Sequence, residues 1–477
     1  MMPQFASDAD IRDVEHRLSS DPDSLPLLFE RARLLDALGR TSDARIAYID
    51  VLKRDPSHFE ALNNCGTMLF NARFLSAARL LYSEAIKWHP QQPMPYVNLA
   101  NTLLELGDVA GACAQYEAAL ALDTAYAAAH QGLSYALSRE GDLEGAARHR
   151  ALGFAHAPIA IVQYRGDAAP VGALVFLSAA GGNIATDGFL DDRTFLTVKL
   201  FADYYDPALP LPPHDVVFNA IGDAELAAEA LVVAERLADM TDAPVINAPA
   251  AVRSTSRSAV TARLANIPGV ITPKTVAFNR AILASDDAPA LLSESGFQFP
   301  LLLRSPGYHT GKHFVRVESA SALPGVLPQL PGDTLLAIEY LDARGSDGIT
   351  RKYRVMAIGG KLYPLHLAMA SQWKVHYFTA DLHHLPAHAA EESAFLRDLY
   401  ASLGARVVSA LELIRDTLAL DYAGIDFSIN PDGEILLFEA NATMKIVPPP
   451  PGDAHNDRRV AAERALAAAR ELILLSV

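Results

Sequence analysis

The sequence predicts a multidomain chain, an all-α helical repeat array followed by an α/β fold. Three observations predict it. Prolines, tyrosines and small residues recur every 34 residues as far as Pro158. Beyond Pro158, short β-prone runs alternate with helical patterns, the arrangement of a largely parallel sheet covered by helices. Near the C-terminus, residues 421–441 read as a β-hairpin with acidic and amide side chains at its inner ends.

In the repeat region the series share one period. Pro22, Pro56, Pro90 and Pro158 follow it, with Thr124 in the remaining slot. Tyr48, Tyr82 and Tyr116 follow it, with Arg150 next. Small residues recur at Ala44, Ala78, Ala112 and Ala146, and again at Ala32, Gly66, Ala100 and Ser134. Gly39, Gly107 and Gly141 mark a turn, with Arg73 in their fourth slot. Small residues let paired helices approach, tyrosines fill the seam and proline ends each second helix. The pattern resembles the tetratricopeptide repeat and predicts about four helix pairs after a short leading helix at 11–18. That resemblance implies a peptide or protein partner on the concave face. Asn64, Asn98 and Asn101 are candidates for holding an extended peptide backbone. A dimer contact is the other use of such an array. No run of Lys or Arg lines these helices, so a clamp for an acidic tail is not expected.

Residues 159–270 are expected to form an α/β domain. Strands are predicted at 171–177, 194–200, 215–218 and 244–247, with a helix at 224–240. Asn183, Asn219 and Asp223 fall at strand ends, where ligand contacts and ordinary turns both occur. Gly181-Gly182 is no dinucleotide fingerprint, since the full glycine spacing is missing.

The hairpin follows from its turn. Asn430-Pro431-Asp432-Gly433 separates an alternating run, 423–429, from the apolar run 434–440. Asp426, Glu439 and Asn441 then face one cleft, because residues two apart on a strand share a face. Two carboxylates and an amide oxygen are hard ligands suited to Mg²⁺. This stretch resembles the metal-binding end of the ATP-grasp superfamily, where an Asp on one strand and a Glu-x-Asn on the next hold two Mg²⁺ against ATP. The resemblance extends upstream over roughly residues 160–477. Ser256-Arg257 stands where members often have Asp-Lys. Arg304 ends the run from Phe299 at a place where a Lys usually contacts the α-phosphate and adenine. Ser305 to Lys312 looks like the flexible loop over the triphosphate, with Gly307 and Gly311 admitting phosphate and Lys312 neutralising it. Glu339, Tyr340 and Leu341 occupy the slots of the adenine-reading hinge, followed by Asp342 or Asp347 toward the ribose. Arg354, with Lys352 on the same face, matches the Arg that contacts the transferred phosphate. Residues 366–377 have no family counterpart, and His383, His384 and His388 read as a solvated loop.

The resemblance implies three parts: a repeat domain at 1–158, a preceding α/β domain at 159–270, and an ATP-grasp domain at 271–477 with its lid to about 340. It implies an ATP-dependent carboxylate–amine ligase working through an acyl phosphate, with ATP and Mg²⁺. Arg354 and Lys312 are the catalytic candidates. Arg257, Arg304, Gly307, Gly311, Lys312, Glu339, Tyr340 and Leu341 are expected on the nucleotide, and Asp426, Glu439 and Asn441 on the metal. The alternative is a repeat-based binding scaffold with a nucleotide-sensing or degenerate module, suggested by Arg257 and Arg304 in place of Lys. A phosphotransferase acting on a hydroxyl is a third reading.

Composition bounds these readings. The net charge of −16 disfavours a nucleic-acid backbone as partner. Apolar runs such as 171–177 are far shorter than a membrane span. Residues 1–10 lack the basic and apolar segments of a secretory signal. Cys65 and Cys113 sit among small residues in helical patterns, so buried reduced thiols and a cytoplasmic setting are expected.

Overall fold

The computed structural model describes residues 7–306, 308, 311–375, 385–449 and 456–477. The chain divides into two compact units, Met1–Pro170 with Asp192–Asp206, and Val171–Asp191 with Pro207–Val477.

The first unit is a helical repeat array. A leading helix α1 (Asp8–Ser20) is followed by four pairs: α2 (Leu25–Ala37) with α3 (Thr41–Arg54), α4 (Phe59–Asn71) with α5 (Leu75–Trp88), α6 (Pro93–Glu105) with α7 (Val109–Leu122), and α8 (Ala127–Glu140) with α9 (Leu143–Phe154). Ser7 and Asp10 close the start of α1 with a reciprocal capping box. The tyrosine series fills the seams, and Tyr48, Tyr82 and Tyr116 are all buried. A Cβ on Gly66 would stand 2.7 Å from the Tyr82 ring, which is why small residues recur there. The turn series has positive φ at Gly39, Gly107 and Gly141, and Arg73 adopts the same conformation at φ 65°. After the array, β1 (Ile159–Ile161) pairs antiparallel with β3 (Phe195–Phe201). Arg165 joins this return to the helices through Asp192 at 2.5 Å and Asp36 at 3.5 Å.

The second unit is mixed α/β. Strands β2 (Val171–Leu177), β4 (Val216–Asn219) and β5 (Val245–Ile246) form a parallel ladder, the expected arrangement. Helices α10 (Ala228–Ala238), α11 (Pro249–Arg253) and α12 (Arg257–Leu264) follow, and then the short strand β6 (Val270–Ile271). A four-stranded sheet in the order β7-β10-β8-β9 comprises β7 (Thr275–Asn279), β8 (Leu301–Arg304), β9 (Phe314–Val317) and β10 (Thr334–Glu339). With α13 (Arg280–Leu283), α14 (Ala288–Glu294) and α15 (Leu323–Val326) it encloses its own core around Leu292, Leu301, Leu303 and Leu335.

The third sheet carries the candidate site. Its order is β12-β11-β13-β14-β6, with β11 (Thr350–Ile358), β12 (Lys361–Ala370), β13 (Tyr422–Ile429) and β14 (Ile435–Asn441). The expected hairpin is β13–β14, and Gly433 takes the positive φ its turn requires, 75°. Helices α16 (Pro386–Arg397), α17 (Leu399–Leu418) and α18 (Asn456–Leu475) pack beside it. Strand β12 runs on through His366 to Ala370, into the stretch for which the resemblance supplies no counterpart. At this sheet edge Leu367 donates its N–H to Glu392 at 3.0 Å, and Glu392 pairs with Arg458 at 2.7 Å, both carboxylate and guanidinium being buried. An ion pair thus satisfies an edge that would otherwise present an unpaired donor.

Candidate functional site

The antiparallel ladders place four side chains in one row. His366 on β12 stands opposite Arg354 on β11, Arg354 opposite Asp426 on β13, and Asp426 opposite Glu439 on β14. Register shifts follow immediately, between Arg354 and Val355 and between Asp426 and Phe427. Such bulges re-aim side chains and gather beside functional sites.

Asp426 is fully buried and held from two sides. Arg354 donates from Nε to Oδ1 at 2.6 Å and from Nη2 to Oδ2 at 2.8 Å, a two-pronged grip. Lys352, two residues away on the same face, brings Nζ to Oδ2 at 2.6 Å. Burial alone would raise the Asp426 pKa, but the charges of Arg354 and Lys352 outweigh it and hold the carboxyl well below its usual range. Burial, then the Arg354 charge, pushes the His366 pKa well below its ordinary value.

Glu439 is reached from another element. Arg257, the first residue of α12, donates from Nη2 to Glu439 Oε1 at 3.1 Å and from Nη1 to Glu225 Oε2 at 2.6 Å. Burial would lower the Arg257 pKa, but Glu439 and Glu225 outweigh it and raise it. Asn441 shares the Glu439 face, yet its amide oxygen accepts from the N–H and hydroxyl of Thr443, at 3.0 and 2.9 Å.

The remaining nucleotide candidates form a second group. Arg304 ends β8, donates to the Tyr308 carbonyl and lies over the Phe314 ring at 5.6 Å. Its pKa is lowered by burial and then by the Arg257 charge. Gly311 has φ 71°, and its carbonyl accepts from Lys374 Nζ at 2.7 Å. Lys312 is exposed, and Gly307 lies outside the described residues, as do His376, His383 and His384. Glu339 ends β10 and accepts the Lys274 N–H at 3.0 Å. The Tyr340 ring lies under Arg316 at 4.2 Å and edge-on to Trp373 at 6.3 Å, and Leu341 is half-buried. Asp342 and Asp347, the ribose candidates, pair with Arg344 and Arg351.

The strand-end candidates serve the backbone. Asn183 clasps the N–H and carbonyl of Ser178. Asn219 is buried and donates to the Asn247 carbonyl at 2.9 Å. Asp223 accepts the N–H groups of Glu225 and Leu226. In the repeat array Asn64 meets the Tyr48 hydroxyl at 3.2 Å, Asn98 meets Asn63 at 3.4 Å, and Asn101 accepts the Tyr116 hydroxyl at 2.5 Å. A groove of about 280 Å³ lies beside Asn101, Tyr116, Tyr135 and Arg139. Cys65 and Cys113 are buried free thiols. Among the described residues no helix is long and apolar enough to cross a membrane.

Sequence reasoning did not reach Glu225, and it met Lys374 only as part of the 366–377 stretch, without a role of its own. Neither carries a local signature, because each matters through a contact with a residue remote in the chain.

Comparison with known proteins speaks to the repeat array. Residues 95–126 match the tetratricopeptide repeat family, and the array is a tetratricopeptide repeat domain. Solved structures similar to the chain include a MamA (20% identity, TM-score 0.29), covering 30% of this chain and 84% of that one. They also include a MamA from Desulfovibrio magneticus RS-1 (22% identity, TM-score 0.28), covering 29% of this chain and 78% of that one. A third is YrrB, described as a TPR protein with an unusual peptide-binding site (18% identity, TM-score 0.28), covering 30% of this chain and 75% of that one. No curated protein matches the chain.

Proposed function

We propose that the second unit is an ATP-dependent carboxylate–amine ligase of the ATP-grasp type, and that the repeat domain docks a peptide or protein partner. The observation that carries the catalytic half is the row of Arg354, Asp426 and Glu439 in register on three adjacent strands. Magnesium fits the donor set, since carboxylate oxygens are its preferred ligands. Among the described residues no group of three or more His, Cys, Asp and Glu is placed to hold a metal. An ion here would therefore rest on Asp426 and Glu439, with solvent and phosphate oxygens completing its shell, as Mg²⁺ in phosphoryl transfer commonly does. Bound there, it would neutralise charge on the phosphates.

The chain's own cations complement that role. Arg354 and Lys352 border Asp426, Arg257 borders Glu439, and Arg304 lies within electrostatic reach of Arg257 and Glu439. Fixed cations beside a transferring phosphoryl group stabilise its spread charge. In this reading a substrate carboxylate attacks the γ-phosphorus, forming an acyl phosphate and releasing ADP. An amine then attacks the acyl carbon and expels phosphate, losing its proton to solvent. Lys312, Gly311 and Glu339–Leu341 are assigned to the nucleotide, and a reducing cytoplasmic setting suits the two free thiols.

A second reading has its own support. The family match lies wholly in the repeats, and both oxygens of Asp426 and the amide oxygen of Asn441 already have partners. This favours a protein-binding scaffold whose α/β part senses nucleotide without turnover. One experiment separates the two: ADP and phosphate release from Mg²⁺-ATP against pooled amino acids and peptides, with Asp426→Asn and Glu439→Gln beside the wild type. Stimulated release that vanishes in both variants supports the ligase. ATP binding with no stimulated release across the pools, with or without captured partner protein, supports the scaffold.

A further inference from the structure

Arg257 lies between two carboxylates that it does not hold equally. Its backbone N–H donates to Glu225 Oε1 at 3.0 Å and its Nη1 to Glu225 Oε2 at 2.6 Å. Only Nη2 reaches Glu439 Oε1, at 3.1 Å. The side chains are 18% exposed for Arg257, 24% for Glu225 and 29% for Glu439, so water screens these pairs only in part. Glu225 is fixed by the turn that Asp223 makes in accepting its N–H at 2.8 Å. Arg257 thus makes two hydrogen bonds to Glu225, one from its backbone and a short one from its guanidinium, and a single longer one to Glu439.

That single contact falls on a residue assigned to the metal. A cation at Glu439 must approach an oxygen to about 2.0–2.1 Å, and a guanidinium on the same carboxylate opposes it. Where Arg257 rests then governs how readily Glu439 accepts a cation. A planar guanidinium can serve two carboxylates at once, which a lysine ammonium cannot do with the same geometry.

We propose that Glu225 is a positioning residue of this site: it retains Arg257 when a divalent cation loads onto Glu439, so that loading exchanges the Arg257–Glu439 ion pair for a metal contact. The inference rests on the assignment of Asp426 and Glu439 to a metal. Replacing Glu225 by Gln removes that carboxylate's charge and sends Arg257 to Glu439, where it competes with the cation. Removing Arg257 as well removes the competitor.

The test is Mn²⁺ titration of the full chain with the β,γ-imido analogue of ATP, reading free Mn²⁺ by electron paramagnetic resonance. Glu225→Gln is expected to weaken Mn²⁺ binding by about 10- to 100-fold, the usual effect of losing a group that orients a metal ligand. The double variant Glu225→Gln/Arg257→Gln is expected to bind within about threefold of Arg257→Gln alone, a non-additivity that marks direct coupling. A merely structural loss would not be reversed by a second substitution. Unchanged binding in Glu225→Gln overturns the inference, as does a double variant no tighter than Glu225→Gln. Glu439→Gln separates the two levels: wild-type Mn²⁺ binding there overturns the metal assignment and this inference with it. Lost binding in Glu439→Gln with no effect of Glu225→Gln overturns this inference alone.

Discussion

Arg354 and Asp426 face each other across β11 and β13, joined by two hydrogen bonds of 2.6 and 2.8 Å around a carboxylate with no exposed surface. Their cross-strand register makes the pair part of the sheet as well as of the candidate site. Removing Arg354 leaves the buried carboxylate with Lys352 on one oxygen and the other oxygen without the partner it had. Arg354→Met is expected to destabilise the second unit by about 3–5 kcal/mol, the range for breaking a buried pair. Arg354→Lys recovers only part of this, because an ammonium cannot grip both oxygens in parallel. Urea unfolding checks it, and a midpoint for Arg354→Met equal to wild type would refute it.

His366 makes stability depend on pH in a definite direction. Burial, and then Arg354, holds its folded pKa well below the ordinary 6.5. Below about pH 6.5 the unfolded chain takes up this proton while the folded chain does not. This residue's contribution is therefore present above that pH and is lost as pH falls, by up to about 1.4 kcal/mol per unit. His366→Phe is expected to flatten the fall in urea midpoint between pH 7.5 and 5.5 relative to wild type. Parallel curves for the two proteins would contradict the assignment.

The repeat seam leaves no room for an extra methyl at Gly132. A Cβ there would stand 2.3 Å from the buried Tyr116 ring, whose hydroxyl is committed to Asn101. Gly132→Ala is expected to cost about 1–3 kcal/mol, as overpacking does. Tyr116→Phe/Gly132→Ala should not restore stability, because the clash includes ring carbons as well as the hydroxyl. Thermal unfolding of the two variants checks both statements.

Much of the architecture was legible because its signals are local. The 34-residue period located the leading helix and the four pairs, since each repeat meets mainly its neighbours and repeats their spacing. The turn at 430–433 announced the β13–β14 hairpin, and two-residue alternation placed Glu439 and Asn441 on one face. The extension of β12 past His366 was not legible. Its pairing partner is β11, and its free edge is satisfied by Glu392, whose helix lies further along the chain.

By itself the sequence determined which residue types were available and which faces they share. It placed Arg354 and Lys352 on one strand, Asp426 on another and Glu439 on its hairpin partner. Only the tertiary structure decided their company. Register set Arg354 against Asp426 and His366, and the position of α12 brought Arg257 between Glu225 and Glu439. The physical reason is range. Periodicity and turn chemistry act over a few residues, whereas ion pairing depends on distances of a few ångströms between groups as far apart in sequence as Arg257 and Glu439, and only the packed fold sets those distances.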